Sequence, residues 1–155
     1  MPGAISDFDF FLRVFAGMLC GVLIGFERAR DHKSTGMRTH GLVALGAALV
    51  VAAVQHSAGG SFDSTARVMQ GMLAGIGFLG AGVILHGWQG QRTRGMTTAA
   101  AIWLSAILGM VAGFGEIIAA LGSAAVAFAL LILGGRVDRE VGKRFGAHSD
   151  DERAD

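Results

Sequence analysis

From Val68 to Leu85 the chain runs without a charge or a proline. In lipid no water is present to bond the backbone, so a run of this kind must close its hydrogen bonds internally, as a helix. At 1.5 Å per residue it measures roughly 27 Å, close to the thickness of a bilayer's hydrocarbon core. Gly71, Gly75, Gly77, Gly80 and Gly82 all lie within it. At about 100° per residue, Gly75 and Gly82 fall within about 40° of Gly71, while Gly77 and Gly80 lie on the opposite side. Small residues let helix backbones approach closely in lipid, where hydrophobicity does not drive helices together. Glycine on two faces therefore predicts a central helix gripped from both sides. Gly75→Leu or Gly80→Leu is then expected to overpack the bundle.

The same pattern, long uncharged runs between short polar clusters, recurs along the whole chain. Hydrophobic residues make up 52% and charged residues 16% of it, outside the usual range for a soluble domain. The expected fold is all-α, with five transmembrane helices at about 8–26, 39–58, 68–85, 97–114 and 117–133, the glycine-rich third one in the centre. Residues before the first run are acidic (Asp7, Asp9), so that run does not have the form of a cleavable signal peptide. Eleven of the thirteen Lys and Arg residues fall on one side of this arrangement; only Arg13 and Arg67 fall on the other. By the positive-inside rule the N-terminus is expected outside and the C-terminus inside, with Lys33 and Lys143 cytoplasmic and Gly60 periplasmic. The net charge of +1 gives no reason to expect a nucleic-acid partner, and the single cysteine, Cys20, has neither a disulfide partner nor metal-ligand spacing. Residues 136–155 form a charged tail. Val137, Val141 and Phe145 recur every fourth residue in it, which predicts a short amphipathic helix along the inner surface and a disordered end.

The string Gly75-Ile-Gly-Phe-Leu-Gly-Ala-Gly-Val-Ile84 resembles the signature of the MgtC/SapB/YhiD membrane-protein family. Two further segments fit in the family's order and spacing: Gly25-Phe-Glu-Arg28 followed by Lys33 and Gly36-Met-Arg-Thr-His40, and Gly95-Met-Thr-Thr-Ala-Ala100 with Trp103. The resemblance covers roughly residues 13 to 114. It implies a multi-pass protein of the bacterial inner membrane with a role in adaptation to stress such as low magnesium or acid, and in pathogens survival inside the host. In the best-known member it implies action through partner membrane complexes such as the ATP synthase. Long members carry a folded cytoplasmic domain after the membrane part, which residues 136–155 are too few to make.

No catalytic triad, Walker loop or pair of buried carboxylates is present in the sequence, and the glycine run lacks the strand that precedes a dinucleotide fingerprint; neither an enzyme nor a cofactor is expected. The inner helix ends gather polar residues: Glu27 and Arg28, then Arg38, Thr39 and His40, then Thr97 and Thr98, whose hydroxyls suit a helix N-terminus. The resemblance favours the same seven residues, which occupy its motif positions. Such a cluster either locks the bundle by ion pairing or forms a site for a small ion or an anionic headgroup. Whether it binds a metal is open. Magnesium is weakly supported, since Glu27 is the one acidic side chain there and basic residues surround it. The outer end holds Arg13, spaced four residues after Asp9, then Asp63, Arg67 and Gln70, with Glu116 opening the fifth helix. Arg13 either pairs with Asp9 or extends to the interface. Trp103 is expected in the core and Trp88 in the inner aromatic belt.

Two function classes follow: a regulatory or scaffolding protein acting by helix contacts with other membrane proteins, or a transporter or channel for a small ion or solute. A dry bundle with an exposed small-residue face favours the first. A wet path lined by Glu27, Thr97 and Gln70 favours the second. Gly17, Gly21 and Gly25 form a ribbon on the first helix, and Gly109 with Gly113 another on the fourth. One such ribbon is expected to lack an internal partner, which predicts a homodimer through the first or fourth helix.

Overall fold

Each apolar run forms one helix: α1 (Asp7–Arg30), α2 (Met37–Ser57), α3 (Phe62–His86), α4 (Met96–Phe114) and α5 (Ile117–Gly146). All five are long and apolar enough to cross a membrane, so the chain is a multi-pass membrane protein with the bilayer as its solvent. The computed structural model describes residues 5–30, 35–57, 61–86 and 95–146. Lys33, Gly60 and Trp88 lie outside them, as does the expected disordered end of the tail.

Charge placement fits the helix ends. The first turn of α1 carries Asp7 and Asp9 and its last turn Arg28 and Arg30, each opposite in sign to the adjacent end of the macrodipole. Thr97 and Thr98 do not cap α4, contrary to expectation. The capping residue is Gly95 in a left-handed conformation (φ 93°), with no side-chain bond, and Gly115 closes the other end at φ 112°. The hydroxyl of Thr98 is thereby left for another partner.

The centre of the bundle is α4, not α3. It alone packs against all four other helices. The reason lies in its side chains: Ala101, Ser105, Ala106, Gly109, Ala112 and Gly113 are buried and small enough to let neighbours close in on several sides. One core cluster joins Ala16, Cys20 and Ile24 of α1 to Leu108 of α4 and to Ala120 and Ala124 of α5. A second joins Ala47 and Val51 of α2 to Ala106 and Met110 of α4, with Met69, Met72, Leu73 and Ile76 of α3 packed on it.

Both glycine ribbons are consumed inside the protomer, which removes the expected dimer face on α1 or α4. A Cβ on Gly17 would stand 2.6 Å from Ala48 Cβ, one on Gly25 2.6 Å from Met37 Cα, and one on Gly113 2.6 Å from the Ala48 carbonyl oxygen. Gly21 and Gly109 sit directly against the His40 and Ala44 carbonyls. The partner of both ribbons is α2, whose backbone lies between α1 and α4.

The glycine-rich α3 is peripheral. It packs on α4 and, less, on α2. Its buried side follows from the helical wheel: Thr65, Met69, Met72, Ile76 and Gly80 fall within an arc of about 80° and turn inward. Gly80 meets Ala99 Cβ at 3.7 Å, an ordinary contact that occupies one of the two expected faces. The other face is open. No atom among the described residues lies within 4 Å of where a Cβ on Gly71, Gly75 or Gly82 would stand, nor on Gly77, which is also exposed. A leucine at Gly75 therefore meets no obstacle within the protomer, whereas Gly80 is buried against α4. Trp103 is likewise not core: it is 47% exposed, on the side of α4 away from its neighbours. Past Leu133, α5 continues without a break through Gly134 and Gly135 to Gly146, so the tail segment extends the fifth helix rather than forming a separate one.

Candidate functional site

At the end where α1 finishes and α4 begins, three of the seven expected polar residues come together. Arg28 donates from Nη2 to Thr98 Oγ1 at 2.9 Å, and its Nη1 stands 3.7 Å from Glu27 Oε2. Glu27 and Arg28 are 5% and 4% exposed. An ion pair this buried survives only where charges face each other or a polar group, and Thr98 supplies one such group because Gly95 has taken over the cap. Glu27 Oε2 and Arg28 Nε have no hydrogen-bond partner among the described residues. His40 is fully buried at the start of α2, its Nδ1 3.0 Å from the Gly36 carbonyl, and its backbone carbonyl is the surface on which Gly21 rests. Arg38, Thr39 and Thr97 are exposed and do not join the cluster.

Glu27 also lines a cleft of about 120 Å³ between α1 and α5, with Phe26, Arg30, Phe128 and Arg136 among its walls. Neither Thr97 nor Gln70 lines it. Sequence reasoning counted Arg30 and Arg136 only as topology markers. Arg30 stands three residues beyond Glu27, nearly on the same helix face, which was the available signal.

At the opposite end Arg13 is a staple between helices. It pairs with Asp9 (Nη2–Oδ2 2.6 Å, Nε–Oδ2 2.9 Å) and donates from Nη1 to the Phe114 carbonyl at 3.0 Å. That carbonyl ends α4, where a cation also favours the negative end of the dipole. The guanidinium lies so close to Gly115 that a Cβ there would stand 2.9 Å from Nη1. Arg13→Gln is expected to destabilise the protein in detergent by about 1 kcal/mol, the usual loss for a cap or a dipole partner. An unchanged melting temperature would show that the staple is idle. Asp63, Arg67 and Gln70 stay exposed on α3, and Glu116 is exposed between α4 and α5. Thr65, which sequence reasoning passed over, is 1% exposed and accepts from Gln55 Nε2 at 3.3 Å, tying α3 to α2.

This arrangement of five spans and a buried Glu-Arg-Thr set can be compared with known proteins. The model of the MgtC family matches residues 14–140, a stretch that enters in α1 and leaves in α5. The chain belongs to the MgtC family. Protein MgtC of Salmonella typhimurium is 42% identical over 109 residues, covering 70% of this chain and 45% of that protein. Protein MgtC of Brucella abortus is 46% identical over 99 residues, covering 64% of this chain and 40% of the relative. SrpB of Synechococcus elongatus is 43% identical over 135 residues, covering 79% of this chain and 72% of SrpB. The chain thus spans less than half the length of the MgtC proteins it matches. No solved structure matches.

Within an MgtC-family frame the buried Glu27-Arg28-Thr98 set draws one residue pair from the first motif and one residue from the third. Two segments separated by some seventy positions are thus joined by a single hydrogen bond. Among the described residues no three His, Cys, Asp or Glu side chains gather as a metal would require. The glycine-rich signature, by contrast, contributes nothing to this cluster and lies on α3, largely on its open side.

Proposed function

We propose that this MgtC-family protein is a regulatory or scaffolding factor of the bacterial inner membrane, acting in adaptation to stress such as low magnesium or acid. It works without catalysis, through contacts of α3 with other membrane proteins, with its N-terminus outside and its C-terminus inside. The carrying observation is the open face of α3. Gly71, Gly75 and Gly82 are aligned within about 40° and have Ala74 and Phe78 beside them, with Arg67 at the outer end. A Cβ placed on any of the three would meet nothing from the rest of the described residues within 4 Å. The glycine ribbons of α1 and α4 are filled by neighbouring helices, and this one is left for a partner helix. A second copy of the chain fits that role as well as a different protein does, so the expected homodimer moves to α3.

Growth of a bacterium lacking its own MgtC-family protein, at limiting magnesium, is the test. The wild-type chain is expected to restore growth. Gly75→Leu and Gly82→Leu are expected not to, while accumulating in the membrane and melting at the wild-type temperature. Full growth with both variants would overturn the reading.

A further inference from the structure

The cleft between α1 and α5 lies at the arginine-rich end of the bundle, away from α3. Its chemistry has three parts. Phe26, Phe128 and Ile132 make an apolar wall continuous with the lipid-facing sides of the two helices. Arg30 and Arg136, both exposed, stand at its mouth, one on each helix. Glu27 lies within, buried, with Oε2 lacking a hydrogen-bond partner among the described residues. Arg28 is the nearest cation among the described residues, and at 3.7 Å it is too far to donate a hydrogen bond to that oxygen.

We propose that this cleft binds the headgroup of phosphatidylethanolamine, the phosphate held between Arg30 and Arg136 and the ammonium donating to Glu27. Two guanidiniums on different helices match a phosphate, whose oxygens accept forked hydrogen bonds. A primary ammonium offers three N–H donors to the Glu27 carboxylate that lines the cleft. The cleft, of about 120 Å³, opens between the two helices, so that the ammonium enters beside Glu27 while the phosphate sits at the mouth. The chains lie outside, against Phe128 and Ile132. The carboxylate sets the preference among lipids. Phosphatidylglycerol brings a phosphate and no cation to face Glu27, and the quaternary ammonium of phosphatidylcholine has no N–H to give. Basic pockets at helix ends commonly hold anionic headgroups; the buried acid inside this one selects a zwitterion instead. The site is independent of the α3 face.

Native mass spectrometry of the full chain, with phosphatidylethanolamine, phosphatidylglycerol and phosphatidylcholine added in equal amounts, measures retention directly. The wild-type chain is expected to keep phosphatidylethanolamine at least about fivefold better than either competitor. Arg136→Gln, at an exposed position that leaves the core untouched, is expected to weaken retention about fivefold, the upper size of an exposed charge pair. Glu27→Gln is expected to remove the preference for phosphatidylethanolamine over phosphatidylglycerol while binding of both persists. Equal retention of the three lipids by the wild-type chain would overturn the proposal, as would unchanged retention by Arg136→Gln. Preferential retention of phosphatidylglycerol would assign the cleft to anionic lipids and exclude the role given to Glu27.

Discussion

Gly109→Leu is expected to lower the melting temperature in detergent by roughly 6–12 °C, whereas Gly75→Leu leaves it essentially unchanged. Gly109 rests on the Ala44 backbone, where even a Cβ has no room. Backbone cannot rotate aside as a side chain does, so α2 and α4 must separate, and α1 with them through Gly17. Overpacking typically costs about 1–3 kcal/mol, and the rigid obstacle here places the loss at the upper end. At about 2–4 °C per kcal/mol for a chain of this size, that gives the stated range. Gly75 has open space around it, so leucine there meets no obstacle. The pair of variants separates a glycine that packs the fold from one that does not.

The second large effect concerns the buried charges. Arg28→Leu removes the cation beside Glu27 and the donor to Thr98 together, leaving a carboxylate 5% exposed with no compensation. Removing one partner of a buried pair costs about 3–5 kcal/mol. Combined with Glu27→Gln, the same substitution is expected to recover more than half of that loss, because no charge remains to be buried. The result is read from equilibrium unfolding of the wild type, the two single variants and the double variant. If Arg28→Leu is as stable as the wild type, the ion pair plays no structural part and the cluster needs another account.

The five spans were legible in the sequence because lipid leaves a backbone one option over each uncharged run, and the structure places one helix on each run, α3 starting six residues earlier and α5 running thirteen residues further than expected. Their mutual packing was much less legible. Glycine periodicity shows that a face is suited to close approach but not whose backbone fills it. For α1 and α4 the answer is α2, a helix with no ribbon of its own; it offers the His40, Ala44 and Ala48 backbone instead. The same ambiguity put α3 in the centre. Its composition is as permissive as that of α4, yet only α4 has small buried residues directed at four neighbours. At the end where α1 finishes and α4 begins, the expected meeting of helix termini brought Glu27, Arg28 and Thr98 into one group. It could not show that Arg38, Thr39 and Thr97 project outward, since that depends on where the helix starts in its turn. Gly95 decided it by capping α4 two residues before the threonines. Arg136 became part of a cleft only because α5 runs on past Leu133 as one helix.

Photo-cross-linking in intact membranes addresses the role of α3 most directly. A photoreactive residue replaces Phe78, 81% exposed in the middle of the open face, and in a control replaces Leu130, 70% exposed on α5. The account predicts discrete protein adducts from position 78, a second copy or another membrane protein, that disappear in the Gly75→Leu background, and none of comparable yield from position 130. Lipid adducts alone at position 78, or the same protein adducts from both positions, would contradict it.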